Sequence, residues 1–298
     1  MIKVNRFLME IMIKNSLKQT KKWRKNYPPH GLFEERIDVP YMSDHTHRHS
    51  FDIYYAKENI KNIVIIDIHG GYYMYGDHLD NYILAIPFLK EGFDFITVDY
   101  IPNNGKMDTK DLIDDCVRCI NYIFAHQKEL GIEGKRFAIT GDSAGGHFAL
   151  TIAEAICDKE YAKRLGYEFP DIKLIACLLN CPVYDFAHVG DGFLTRSGMK
   201  RMFGPHYNDI EAVELICPKV NIDSLTCPLF VSTCSQDFLR HHSLFLKEDM
   251  EKRNHNYELL DIQSDDKNIG HVHNVLIPDH PLSQKVNNAM MDFIMKNQ

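Results

Sequence analysis

Phe137-Ala138-Ile139-Thr140 runs directly into Gly141-Asp142-Ser143-Ala144-Gly145-Gly146, and a helical pattern begins at once. This junction constrains the fold more than any other stretch. A serine between glycine-flanked positions, where a strand turns into a helix, needs a backbone too tight for neighbouring side chains. The strain lifts the hydroxyl clear of the sheet beside a helix N-terminus. There the dipole and the free amide of Ala144 can hold a developing negative charge. Such a nucleophile elbow belongs at the carboxyl end of a strand in an open α/β sheet. A Gly-rich turn that merely packs closely is the plain alternative, so the partners of Ser143 must decide.

The rest of the chain supplies such a sheet. Residues 35–42 and 49–56 read as strands, the second alternating as a half-buried strand should. Ile63-Val64-Ile65-Ile66-Asp67-Ile68 is β-branched almost throughout and suits a central buried strand. Further strands are expected over 93–100, 136–140, 174–179, 229–233 and 257–262. Helices are expected over 79–91, 109–130, 144–157, 243–253 and 283–296. This alternation predicts one α/β domain over 1–298, a mostly parallel eight-stranded sheet flanked by helices. Residues 184–216 break the rhythm and read as an insertion over one edge of the sheet.

Charge narrows the partners. The chain of 298 residues carries a formal net charge of −7, which argues against nucleic-acid binding. Residues 1–26 hold eight Lys or Arg and one Glu, leaving −14 on the remainder. With Val4, Phe7, Leu8, Ile11 and Met12, this basic segment suits an amphipathic helix. Packing on the body is preferred to membrane contact, because one short basic segment is a weak signal. No apolar run is long enough to span a membrane, and no secretory signal is expected. The eight cysteines fit reduced thiols in a cytoplasmic protein; several sit inside apolar runs. Cys116-Val-Arg-Cys119 has no second pair to complete a metal site. Oligomeric state is not legible.

A serine nucleophile needs a base, and the base needs an orienting acid. In the elbow fold both follow the serine, acid first. Asp237 comes just past the strand over 229–233, on the edge where an open sheet binds ligands; a helix cap is its other reading. His271 and His273 follow the last strand and precede the last helix, where the base belongs. The His45, His47, His49 cluster lacks carboxylate or cysteine spacing for a metal. Upstream, a strand ends in His69-Gly70-Gly71-Tyr72-Tyr73, whose glycine pair leaves backbone N–H groups open to a ligand.

Together these residues resemble the hormone-sensitive-lipase-like esterases and acetylesterases of the α/β-hydrolase fold, from about Ile63 to the C-terminus. Gly-Asp-Ser-Ala-Gly-Gly matches that family's elbow in full. His69-Gly70-Gly71 matches its oxyanion loop, with Tyr72 in place of the usual third glycine. Val98-Asp99-Tyr100 begins a family segment that then diverges at Ile101-Pro102-Asn103-Asn104. Asp237-Phe238-Leu239 matches the acid, and His271-Val272-His273 resembles the His-x-Phe of the base. His273 takes the aromatic position, which selects His271. The resemblance implies a cofactor-free serine carboxylesterase for short-chain acyl esters of small molecules. Its triad would be Ser143, Asp237 and His271, with oxyanion amides from Gly70, Gly71 and Ala144 and no metal. It also implies a helical cap from residues 1–35 and 184–216. Two other readings remain: a kynurenine-formamidase-like amidase, whose oxyanion loop His-Gly-Gly-Tyr also resembles, and a non-catalytic ligand-binding relative.

Overall fold

The computed structural model describes Lys18, residues 30–186, Lys200 and residues 203–298. Its centre is an eight-stranded sheet in the order β1-β2-β4-β3-β5-β6-β7-β8. The strands are β1 Glu34–Pro40, β2 Ser50–Tyr55, β3 Ile63–Ile68, β4 Asp94–Val98, β5 Arg136–Asp142, β6 Leu174–Asn180, β7 Leu229–Cys234 and β8 Tyr257–Ile262. β2 runs antiparallel to both β1 and β4; every other neighbouring pair is parallel. The helices are α1 Tyr82–Lys90, α2 Thr109–Ala125, α3 Ala144–Cys157, α4 Lys159–Leu165, α5 Ile210–Leu215, α6 Pro218–Asn221, α7 Arg240–Lys252, α8 His273–Leu276 and α9 Pro281–Lys296.

The period of two in β3 builds two cores. Val64, Ile66 and Ile68 pack with Leu112 and Cys116 of α2 and Phe148 and Ile152 of α3. Ile63 and Ile65 face the other way, with Leu84 and Phe88 of α1 and Val286, Met290 and Phe293 of α9. Both faces of the sheet are therefore covered, which is why β3 is apolar on both sides. Each such buried aliphatic side chain contributes about 1.5–3 kcal/mol.

Several expected boundaries move. β2 is not half-buried: five of its six residues are buried, because it lies between β1 and β4. Its polar Asp52 is satisfied by Asp38 N–H (2.8 Å) and Tyr54 Oη–H (2.8 Å). The helix expected over 109–130 stops at Ala125, where His126 N–H bonds to Tyr122 O and the chain turns toward Gly131 at φ +70°. The helix expected over 79–91 opens as a 3-10 turn, His78–Asn81, capped by Asp77. The helix expected over 243–253 begins earlier, at Arg240.

Parts of the expected cap lie outside the described residues: 1–17, 19–29, 187–199, 201 and 202. The amphipathic segment 1–26 falls there apart from Lys18. Glu34 and Glu35, counted with the cap, open β1 instead. Phe203 packs its ring on Tyr73 (5.1 Å) and Phe186 (5.3 Å). Among the described residues no helix is long and apolar enough to cross a membrane. The parallel strands β3, β5, β6, β7 and β8 all end on one edge, and the loops after them carry the residues singled out above, His271 after β8.

Candidate active site

Ser143 stands between β5 and α3 at φ +54°, ψ −116°. This positive φ is strained for any residue with a Cβ, and the flanking glycines explain how the turn tolerates it. A Cβ on Gly141 would strike the Gly145 carbonyl, and one on Gly145 would strike the Ile68 carbonyl. Strand and helix are thus pressed together with only hydrogens between them. The Ser143 N–H bonds to Asn180 O (2.9 Å), and its carbonyl accepts from His147 N–H (3.2 Å) and Val183 N–H (3.1 Å).

His271 Nδ1 lies 2.7 Å from Asp237 Oδ1. Asp237 Oδ1 also accepts from Leu239 N–H (2.9 Å), and Oδ2 accepts from the Thr233 hydroxyl (2.9 Å). Burial pushes this carboxyl up, but the hydrogen bond and charge of His271, with the other donors, outweigh it and hold Asp237 below the usual carboxylate range. His271 Nε2 is buried and has no hydrogen-bond partner. Ser143 and His271 line the same pocket. Nδ1 on a carboxylate and Nε2 left open is the arrangement a general base needs.

The neighbouring histidines do other work. Val272 sits in the left-handed region at φ +52°, between His271 and His273. His273 is buried against Ser283 Oγ (2.9 Å), and burial brings it down to about 4. His242 Nδ1 accepts the N–H groups of Tyr184 (3.2 Å) and Asp185 (3.1 Å). His49 pairs with Asp44 at 2.7 Å, while His47 reaches toward Asp38 at 3.9 Å, so these two do not converge. Cys116 and Cys119 are free and buried on the core face of α2.

The oxyanion loop brings a correction. Gly70 was expected to offer its amide to the pocket, but its N–H bonds to Asp142 Oδ1 at 2.9 Å. None of the hydrogen bonds among the described residues uses the N–H of Gly71, Tyr72 or Ala144. Gly71 lies at φ +130°, and Tyr72 and Tyr73 at φ +52° and +65°. Ala144 opens α3, so its amide has no intrahelical acceptor. The loop is pinned from outside: the Tyr100 hydroxyl bonds to His69 O (2.9 Å), and Arg48 bridges Gly76 O (2.7 Å) and Asp99 (2.9 Å). Asp99 also takes His78 Nδ1 at 3.1 Å. Burial alone would lower His78, but hydrogen bonds to Asp52 and Asp99 raise it to about 10.

The pocket has a volume of about 240 Å³, and its described walls include Tyr72, Tyr75, Phe238, Val272 and Leu276. Phe238 lies 4.3 Å from the His271 ring and stacks parallel to Tyr72 at 6.1 Å. Cys181 Sγ, Asp237 and His271 place three donor atoms within 4.8 Å of one another. A cation there would have to break the Asp237–His271 contact, so these residues fit a proton relay better than a metal. The sequence does not single out Thr233, Phe238 or Cys181: the Thr233 hydroxyl reaches Asp237 from the end of β7, Phe238 meets the His271 ring and Cys181 Sγ accepts from Val272 N–H, contacts that no residue pattern announces.

A polar belt beneath the pocket joins these loops. Asn180 Oδ1 accepts from Ser232 Oγ–H (2.8 Å) and Asn274 Nδ2 (2.8 Å), and Asn274 Nδ2 also bonds to Asn287 Oδ1 (3.0 Å). Asn180 O is the group that holds the Ser143 amide.

Among curated proteins, no sequence matches this chain. Solved structures do match in shape. Esterase B from Lactobacillus rhamnosis, inhibited by a tributyrin phosphonate, superposes with a TM-score of 0.82 at 19% identity over 98% of this chain and 96% of that one. A truncated carbohydrate esterase from gut microbiota gives 0.72 at 17% identity, over 90% and 99%. An esterase of the bacterial hormone-sensitive lipase family gives 0.71 at 17% identity, over 96% and 91%. These likenesses establish the α/β-hydrolase fold. The BD-FAE family model matches residues 51–247, a span that runs from β2 through Ser143 and Asp237 into α7. With well over half of its length matched by that model, the chain belongs to the BD-FAE family and has the α/β-hydrolase fold.

Proposed function

We propose that this protein is a serine carboxylesterase acting on short-chain acyl esters of small molecules. The observation that carries the reading is the His271–Asp237 contact at 2.7 Å, with the other imidazole nitrogen unpartnered beside the Ser143 pocket. Ser143 Oγ attacks the ester carbonyl while His271 Nε2 takes its proton. Asp237 holds the imidazole tautomer and faces the positive charge that forms. The N–H groups of Gly71 and Ala144 stabilise the oxyanion. The proton on His271 passes to the departing alcohol. A water, deprotonated by His271, then releases the carboxylic acid and frees Ser143. The pocket volume of about 240 Å³ and its apolar walls favour a short acyl group. The packing of Phe203 on Tyr73 and on Phe186 supports a cap contributed by the segment 184–216.

The test is hydrolysis of p-nitrophenyl acetate and butyrate beside longer esters and an aryl formamide, with fluorophosphonate labelling of the serine. Turnover of the short esters that disappears in Ser143→Ala is expected. Undiminished hydrolysis by Ser143→Ala would overturn the reading. A formamide turned over faster than any ester would move the assignment to amide chemistry.

A further inference from the structure

Asp67, next to last in β3, is a carboxyl on a strand that is otherwise wholly apolar, and it is buried. Its Oδ2 accepts from Asn81 Nδ2 at 2.8 Å, and its Oδ1 is buried without a partner. The same Asn81 nitrogen donates to Asp142 Oδ1 at 2.9 Å. That oxygen in turn accepts the Gly70 N–H at 2.9 Å. Asn81 and Asp142 are buried as well, and a Cβ on Gly70 would overlap the Asp142 carboxylate. Asp142 immediately precedes Ser143, and Gly70 immediately precedes Gly71.

Two carboxyls bridged by one amide in a dry site do not both ionise readily. Burial raises both. Asp67 is pushed well up by burial and then by the charge of Asp142, against one opposing hydrogen bond from Asn81. Asp142 is raised by burial too, but Asn81, the Gly70 amide and two histidines oppose it. Asp142, faced by two N–H donors, is therefore the better seat for the charge, and Asp67, faced by one, for the proton. A charged acceptor holds an N–H more tightly than a neutral one.

We infer that Asp67, Asn81 and Asp142 form a positioning unit for the oxyanion loop. Ionised Asp142 clamps the Gly70 amide and so orients the peptide that carries the Gly71 N–H. Asn81 keeps Asp142 charged, and protonated Asp67 closes the unit without adding a second charge. Asp67 lies outside the pocket lining; Asn81 is part of it, but its amide nitrogen is given to Asp67 and Asp142, so both act through Asp142 and Gly70. The inference rests on the esterase reading, with Gly71 as an oxyanion donor.

The experiment compares Asn81→Leu and Asp67→Asn with the unaltered protein, using p-nitrophenyl acetate across pH 4.5–8 and fluorophosphonate labelling to count competent serines. For Asn81→Leu, kcat per labelled serine falls about tenfold, less than the loss of a whole oxyanion donor, with KM nearly unchanged. Its acidic limb moves to higher pH, because a donor that favoured ionised Asp142 is gone. Asp67→Asn replaces a group that is already neutral, so its loss in kcat is smaller than that of Asn81→Leu. An unaltered kcat and limb in Asn81→Leu would overturn the inference, as would an activity loss that only tracks the labelled fraction. Equal losses in Asp67→Asn and Asn81→Leu would overturn the placement of the proton. Each of these results leaves the esterase reading standing if hydrolysis still depends on Ser143.

Discussion

Asp237→Asn separates the two services a triad acid performs: fixing the imidazole tautomer and facing its charge. Usually the amide can present NH2 to the histidine, forcing the wrong tautomer and costing about 10⁴-fold in kcat. Here the surroundings choose the amide's orientation. The oxygen nearest His271 Nδ1 also accepts Leu239 N–H, while the other oxygen faces the Thr233 hydroxyl. With its oxygen toward His271, an asparagine keeps both N–H bonds and donates NH2 to the Thr233 oxygen. Flipped, it would set two donors against each other and strand a buried N–H, at about 1–3 kcal/mol. The correct tautomer should therefore survive. What is lost is the charge: a charge-assisted bond becomes neutral, costing about 1.5–3 kcal/mol in the transition state, or roughly 10- to 150-fold in rate. The assay is kcat/KM on p-nitrophenyl acetate, normalised to fluorophosphonate-reactive serine. A loss of about 10⁴-fold would show that Leu239 does not set the amide. A loss of less than about threefold would show that Asp237 does not face a developing charge.

Gly145→Ala drives a methyl group into the Ile68 carbonyl, a contact of backbone on backbone that only separation of α3 from β3 can relieve; the urea midpoint should drop by the equivalent of about 2–4 kcal/mol, and an unchanged midpoint would contradict the packing described. Two buried histidines should each subtract stability as pH drops from 6.5 toward 4, while the buried carboxyls of Asp67 and Glu154, raised by burial, work the other way. Burial holds His147 and His273 down at about 4 in the folded protein, so the unfolded chain binds protons there that the folded one does not. His78 works in the opposite sense: held up at about 10, it adds stability below 6.5 that is lost as pH rises toward 10. Urea midpoints should therefore fall less, or rise more, toward the acid side in His147→Gln than in the unaltered protein, and identical profiles would refute a depressed His147.

The parts legible in the sequence were those written in local pattern. The β-branched run of β3 announces a strand buried on both faces, and Gly141 through Gly146 announce a turn that nothing bulkier could make. The order acid then histidine along the chain comes from the fold's winding, which directs the search to the loops after β7 and β8, where Asp237 and His271 lie 2.7 Å apart. What resisted was decided by contacts between distant residues. Gly70 gives its amide to Asp142, 72 residues away, and no feature near Gly70 marks it. Tyr72, Tyr73 and Val272 take positive φ although no glycine advertises it, because packing imposes the conformation. The helix ending at Ala125 is similar: His126 makes one more helical bond, to Tyr122 O, but its own backbone at φ −112°, ψ +23° leaves the helix, and the first glycine comes only at Gly131.

The belt around Asn180 changes how the site should come apart. It joins the elbow, the strand before the acid and the helix after the histidine through one buried side chain and its own carbonyl. Loops on a sheet edge ordinarily fray one at a time, each with its own opening energy. Loops that share a buried polar anchor cannot do so without stranding the others' hydrogen bonds. Amide hydrogen exchange at Ser143, Cys181 and Asn274 should then follow a single opening event. Heat should empty the site in one step, leaving molecules either fully competent or wholly inert.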